Sequence, residues 1–169
     1  MKLCKGLSEF EQVSYDWMAK NGVVLLRLSM GLIFFWFGFQ KFFPGVSSAE
    51  HIATRTIEVV SFGLVSEPIA MPILAAWEVL IGLGFLSGCF IRITSLLLFL
   101  QMIGTFAPLF IFPAETFSRV PLVPTIEGQY IIKNLVFIAT GMVILAYYQG
   151  RVIRLEKKNK EGNKPPCCN

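Results

Sequence analysis

Four apolar stretches, at about 22–41, 69–90, 91–112 and 129–149, are each long enough to cross a bilayer. A span takes roughly 20 residues at 1.5 Å per residue. Polar and turn-forming residues separate the four. The pattern predicts an all-α membrane protein, a four-transmembrane-helix bundle with short interfacial helices. Three regions follow: an N-terminal interfacial helix in 1–21, a membrane domain over 22–150, and a basic tail over 151–169 expected to be disordered.

Helical spacing sorts each span into faces. In the first, Arg27, Gly31, Phe34, Gly38 and Lys41 step by four and three and share one side. In the second, Met71, Leu74, Glu78, Gly82, Phe85 and Cys89 do the same, and Gly84 with Gly88 forms a GxxxG. Thr94, Gln101, Thr105 and Pro108 line one side of the third. Lys133, Phe137, Thr140, Ile144 and Tyr147 line one side of the fourth, with Asn134, Gly141 and Tyr148 beside them. Small residues allow close helix approach in a membrane. Gly31, Gly38, Gly82, Gly84, Gly88 and Gly141 are therefore the expected packing positions.

The connections carry their own signals. Ser8 with Glu11 makes a capping box, and Trp17 suits a headgroup boundary, so residues 8–20 are expected to lie along the membrane. Ser47 with Glu50 starts a second pattern, followed by Ile52, Thr56, Val59, Val60 and Gly63 at helical period. This predicts a short amphipathic surface helix ending near Gly63. Residues 113–128, with Pro113, Pro121, Pro124 and Gly128, read as an ordered loop folded back over the bundle.

Composition supports the membrane reading: 15% of residues are charged, where soluble domains average about 25%. The net charge of +4 is uneven. Lys2, Lys5, Lys20, Arg92 and six basic residues of the tail fall on one side, so the positive-inside rule predicts both termini in the cytoplasm and a multi-pass protein of the cytoplasmic (inner) membrane. The tail reads as a topology and lipid-facing determinant, not as a nucleic-acid site. No basic n-region with a short apolar core precedes the first span, which is expected to act as an uncleaved anchor. The cysteines are Cys4, Cys89, Cys167 and Cys168, with no CxxC among them and no CaaX ending. All fall at the cytoplasmic side, where disulfides are rare. One histidine, His51, cannot form a bis-histidine haem site. No spacing predicts a metal site, and no intrinsic cofactor is evident.

The candidate chemistry is three ionisable residues in apolar segments: Arg27, Glu78 and Lys133. A charge at the bilayer centre costs at least about 2.5–3.5 kcal/mol on insertion scales. Both signs on three helices predict that they face one another inside the bundle. Gln101, at similar depth, would complete the hydrogen bonding of a ligand site. The plain alternative is structural. Arg27 and Lys133 can snorkel to headgroups, while Glu78 holds helices in register.

Leu26-Arg27-Leu28-Ser29-Met30-Gly31 with Gly38-Phe39-Gln40-Lys41 resembles the opening helix of DoxX-like membrane proteins. Trp77-Glu78-Val79-Leu80-Ile81-Gly82-Leu83-Gly84 with Ile91-Arg92 is similar to that family's second helix and turn. Glu127-Gly128-Gln129-Tyr130-Ile131-Ile132-Lys133-Asn134-Leu135 is similar to the fourth-helix entry of some members. The resemblance implies a four-helix membrane bundle. For some members it also implies a place in redox systems, among them thiosulfate:quinone oxidoreductase subunits and oxidative-stress complexes. The leading expectation is thus a membrane subunit of a redox or quinone-linked system, using a quinone and membrane or redox protein partners. A non-catalytic anchoring or assembly subunit and a transport component, the latter needing a homo-oligomer, are the other readings. Whether the chain is itself an enzyme stays open.

Overall fold

The computed structural model describes residues 2–45 and 50–150. The basic tail, Ser47 of the second capping box, Cys167 and Cys168 fall outside the described residues. The elements are α1 (Lys2–Gln40), α2 (Glu50–Val60), α3 (Glu67–Ser87), α4 (Ile91–Phe106), α5 (Pro108–Ile111) and α6 (Pro113–Thr116). A hairpin of β1 (Phe117–Arg119) and β2 (Val123–Pro124) follows, then α7 (Ile126–Lys133) and α8 (Leu135–Tyr148). Four helical runs are long and apolar enough to cross a membrane: Phe10–Gln40, Pro68–Ser87, Ile91–Ile111 and Ile126–Tyr148.

Punctuation of these runs follows backbone chemistry. Pro68 opens α3, Pro108 opens α5 and Pro113 opens α6, positions where a missing N–H costs nothing. Gly88 closes α3 in the left-handed region at φ 71° and returns its N–H to Gly84 O at 3.1 Å. That closure allows the tight α3–α4 turn. The fourth run starts earlier than its hydropathy predicts, because the Thr125 hydroxyl caps α7 by accepting from Gly128 N at 3.2 Å. The run then jogs at Asn134, whose carbonyl accepts from Phe137 N at 3.0 Å and Ile138 N at 3.2 Å.

Two expectations change. The chain does not break between an interfacial helix and the first span. α1 is one 39-residue helix, and Ser8 lies inside it and not at its start. The helix runs through Gly22, because a mid-helix glycine costs only about 1 kcal/mol. In α2 the buried positions are Ile52, Thr54 and Thr56, while Val59 and Val60 are exposed. The threonine hydroxyls donate back to the helix backbone, Thr54 to Glu50 O at 3.0 Å and Thr56 to Ile52 O at 2.6 Å. They are therefore buried without an unmet polar group.

α1 and α3 form the most extensive helix pair, and α4 and α8 complete the bundle. The core gathers Met30 and Phe34 of α1, Ile81 and Phe85 of α3, Ile91, Leu98 and Met102 of α4, and Ile144 of α8. Large apolar residues such as Leu32, Trp36, Leu80, Leu96, Ile103 and Val136 are exposed around the outside. In water they would form patches too large for a soluble monomer; against acyl chains they are the expected surface. The loop segment is ordered, as its prolines predict. Thr125 N donates to Thr116 O at 2.9 Å and the Thr125 hydroxyl to Glu115 O at 2.8 Å. Arg55 of α2 pairs with Glu115 of α6, and its guanidinium lies 4.5 Å from the Phe112 ring. These contacts tie α2, α6 and the start of α7 into a cap at one end of the bundle.

Candidate functional site

The polar centre lies where α1 ends. Lys41 follows the last residue of α1, and its ammonium pairs with the Glu78 carboxylate in the middle of α3. The two side chains are only 13% and 11% exposed. Gln101 of α4 donates its amide N–H to the other Glu78 oxygen at 2.7 Å. A carboxylate only accepts, so this bond turns the amide nitrogen toward Glu78. The amide oxygen, Gln101 Oε1, is buried and has no partner among the described groups. Thr105 donates to the Gln101 backbone carbonyl at 3.1 Å, one turn further along α4.

Missing side chains on α1 and α3 make this meeting possible. A Cβ at Gly38 would lie 2.8 Å from Glu78 Cβ and 2.9 Å from Val79 N. One at Gly31 would lie 2.8 Å from Leu86 N, and one at Gly82 would lie 2.7 Å from Phe35 Cα. The two backbones are therefore in direct contact along the stripe that ends at Lys41. Gly84 makes room for Thr94, and Gly141 for Leu98 across the α4–α8 contact.

Arg27 and Lys133 are not part of this centre, contrary to the expectation that they face Glu78. The Arg27 Nη1 donates to Phe85 O at 2.7 Å and Leu86 O at 3.3 Å, and its guanidinium lies 5.8 Å from the Tyr148 ring. It caps the carbonyl end of α3, where a cation meets the negative pole of the helix. Lys133 is exposed, with its ammonium 5.0 Å from the Tyr130 ring. The physical reason is axial offset. α1 stops level with the middle of α3, so Arg27, about 21 Å before Lys41 at 1.5 Å per residue, meets the α3 terminus. The signal for Lys41 was present in the sequence: it lies on the same face as Gly31 and Gly38.

Gly88 is held by two constraints at once. Its φ is 71°, and a Cβ there would lie 3.0 Å from Arg27 Cζ, closer still to Nη1. Gly88→Ala should therefore cost about 1–2 kcal/mol for the left-handed backbone alone. It should also push Arg27 off its carbonyls. Thermal unfolding in detergent should show the loss shrinking when Arg27→Met is already present. Strictly additive losses would mean that the two residues act separately.

An apolar groove of about 690 Å³ runs between α4, α5 and α8, lined by Phe99, Met102, Ile103, Phe106, Phe110 and Ile138 among others. It opens on the opposite side of α4 from Gln101, since two residues turn a helix by about 200°. Among the described residues no three His, Cys, Asp or Glu side chains group as a metal site.

Four apolar helical runs around one buried ion pair define a multi-pass membrane protein of the four-helix class. The DoxX family model matches residues 22–112, and the chain belongs to that family. The matched region contains Lys41, Glu78 and Gln101 and stops short of Lys133. Searches of curated proteins and of solved structures gave no match.

Proposed function

We propose that this DoxX-family protein is a membrane subunit of a redox or quinone-linked system in the cytoplasmic membrane, and that Lys41, Glu78 and Gln101 form its intramembrane polar site. The supporting observation is the unpaired, buried oxygen of Gln101 beside an ion pair. Leaving a buried acceptor unmet costs about 1–3 kcal/mol, and a ligand hydroxyl would meet it. The donor set also suits both states of a quinone headgroup. The Lys41 ammonium has N–H groups to spare for a carbonyl, and Gln101 Oε1 can accept from a hydroxyl. Glu78 can hold or release a proton at the same place. A bound quinone would supply the electron-accepting group, with electrons entering from a partner protein. Charge asymmetry supports the orientation, with both termini inside.

Lipid extraction of the purified protein tests the reading. Wild type should retain quinone, and Gln101→Leu should lose roughly tenfold in retention, as expected for about 1.4 kcal/mol. Equal traces in both proteins would remove the quinone site. A second reading, an anchoring or assembly subunit, is favoured by the mutual neutralisation and low exposure of Lys41 and Glu78. On that reading Gln101→Leu leaves partner co-purification unchanged and no quinone is found in either protein.

A further inference from the structure

α1 is longer than a membrane needs. Its 39 residues exceed the roughly 20 that cross the hydrocarbon core, and the excess precedes Gly22. That extension carries large apolar side chains with nothing packed on them: Phe10 is 72% exposed, Val13 68% and Trp17 55%. They share one side of the helix, while Gln12 and Asp16 lie off that side. The apolar side also continues the lipid-facing side of the span. Trp17, Asn21, Leu25, Leu28, Leu32, Trp36 and Phe39 follow one another at steps of four and three, and Leu25, Leu28, Leu32, Trp36 and Phe39 are all exposed on the outside of the bundle.

From this continuity we propose that residues 2–21 dock on the lipid headgroup surface, with a bend at Asn21–Gly22. A bend away from the bundle turns the lipid-facing side of a helix down onto the membrane. Phe10, Val13 and Trp17 then enter the headgroup–acyl boundary, and Gln12 and Asp16 face water. A bend toward the bundle would bury the polar side instead. The junction is suited to bending. A Cβ at Gly22 would meet nothing within 4 Å, so no packing clamps it. The Asn21 side chain donates to Trp17 O at 2.9 Å, so that carbonyl keeps a donor when the backbone bond opens. The apolar area, not charge, drives the docking, because Lys2, Lys5 and Lys20 are balanced by Glu9, Glu11 and Asp16.

Spin labels on the full chain in lipid nanodiscs test this. Cys4, Cys89, Cys167 and Cys168 are replaced by serine, and single cysteines are placed at Phe10, Gln12, Val13, Asp16 and Trp17. Labels at 10, 13 and 17 should be relaxed by oxygen, which concentrates in lipid. Those at 12 and 16 should be relaxed by a water-soluble nickel complex. Nickel access at all five positions would mean a straight helix standing in water and would overturn the proposal. Spin–spin broadening at 10 and 17 that disappears on dilution with unlabelled protein would overturn it too, assigning the apolar side to a second copy.

Discussion

Lys41→Met should destabilise the detergent-solubilised bundle by about 3–5 kcal/mol, the range for removing one partner of a buried ion pair. Lys41 and Glu78 are both nearly closed to solvent. The lone carboxylate would keep only the hydrogen bond from Gln101. Adding Glu78→Gln should recover part of the loss, because no buried charge then remains uncompensated. The double-mutant cycle measures that coupling directly. Lys133→Met is the matched control. Its side chain is exposed, with the ammonium 5.0 Å from the Tyr130 ring, so the change should stay within about 0.5 kcal/mol. Equal losses for Lys41→Met and Lys133→Met would show that the Lys41–Glu78 pair does not hold α1 against α3.

Gly82→Leu should cost about 3 kcal/mol or more, the upper end of what overpacking does. The obstacle at Gly82 is the backbone of Phe35, at both its nitrogen and its Cα. A side-chain neighbour could rotate away; a helix backbone cannot. α1 would have to separate from α3, which would also pull Lys41 from Glu78. Gly104→Ala provides the contrast, since a Cβ there meets nothing within 4 Å. Removing a mid-helix glycine should leave stability unchanged or raise it by up to about 1 kcal/mol. Melting curves for the two variants should therefore move apart. Similar behaviour would mean that the α1–α3 backbone contact is not tight.

Much of the architecture was readable before any coordinates, for local reasons. Hydropathy over about 20 residues finds spans because an unpaired backbone cannot cross lipid except as a helix or a closed barrel. Pro68 marks a helix start, where lacking an N–H costs nothing. Glycines at helical spacing on α1 and α3 foretold a close helix pair. Local signals failed where neighbours compete. The Ser8 capping box was overridden because the helix continues on both sides of it. Val59 and Val60 fit the periodic pattern of α2 yet stay exposed, since periodicity does not say which side of a short helix its neighbours cover.

The site shows the same division. Sequence by itself determined that Glu78 lies deep in an apolar helix, that a charge there needs company, and that Gln101 sits at a comparable depth. It also set Lys41 on the glycine side of α1. Which cation would reach Glu78 depended on how far α1 slides along α3, and helical periodicity carries no information about axial offset. Tertiary packing decided it. Gly38 seats against Glu78 and Val79, and Gly31 against Leu86. This register delivers Lys41 to the carboxylate, sends Arg27 to the carbonyl end of α3, and leaves Lys133 on the surface.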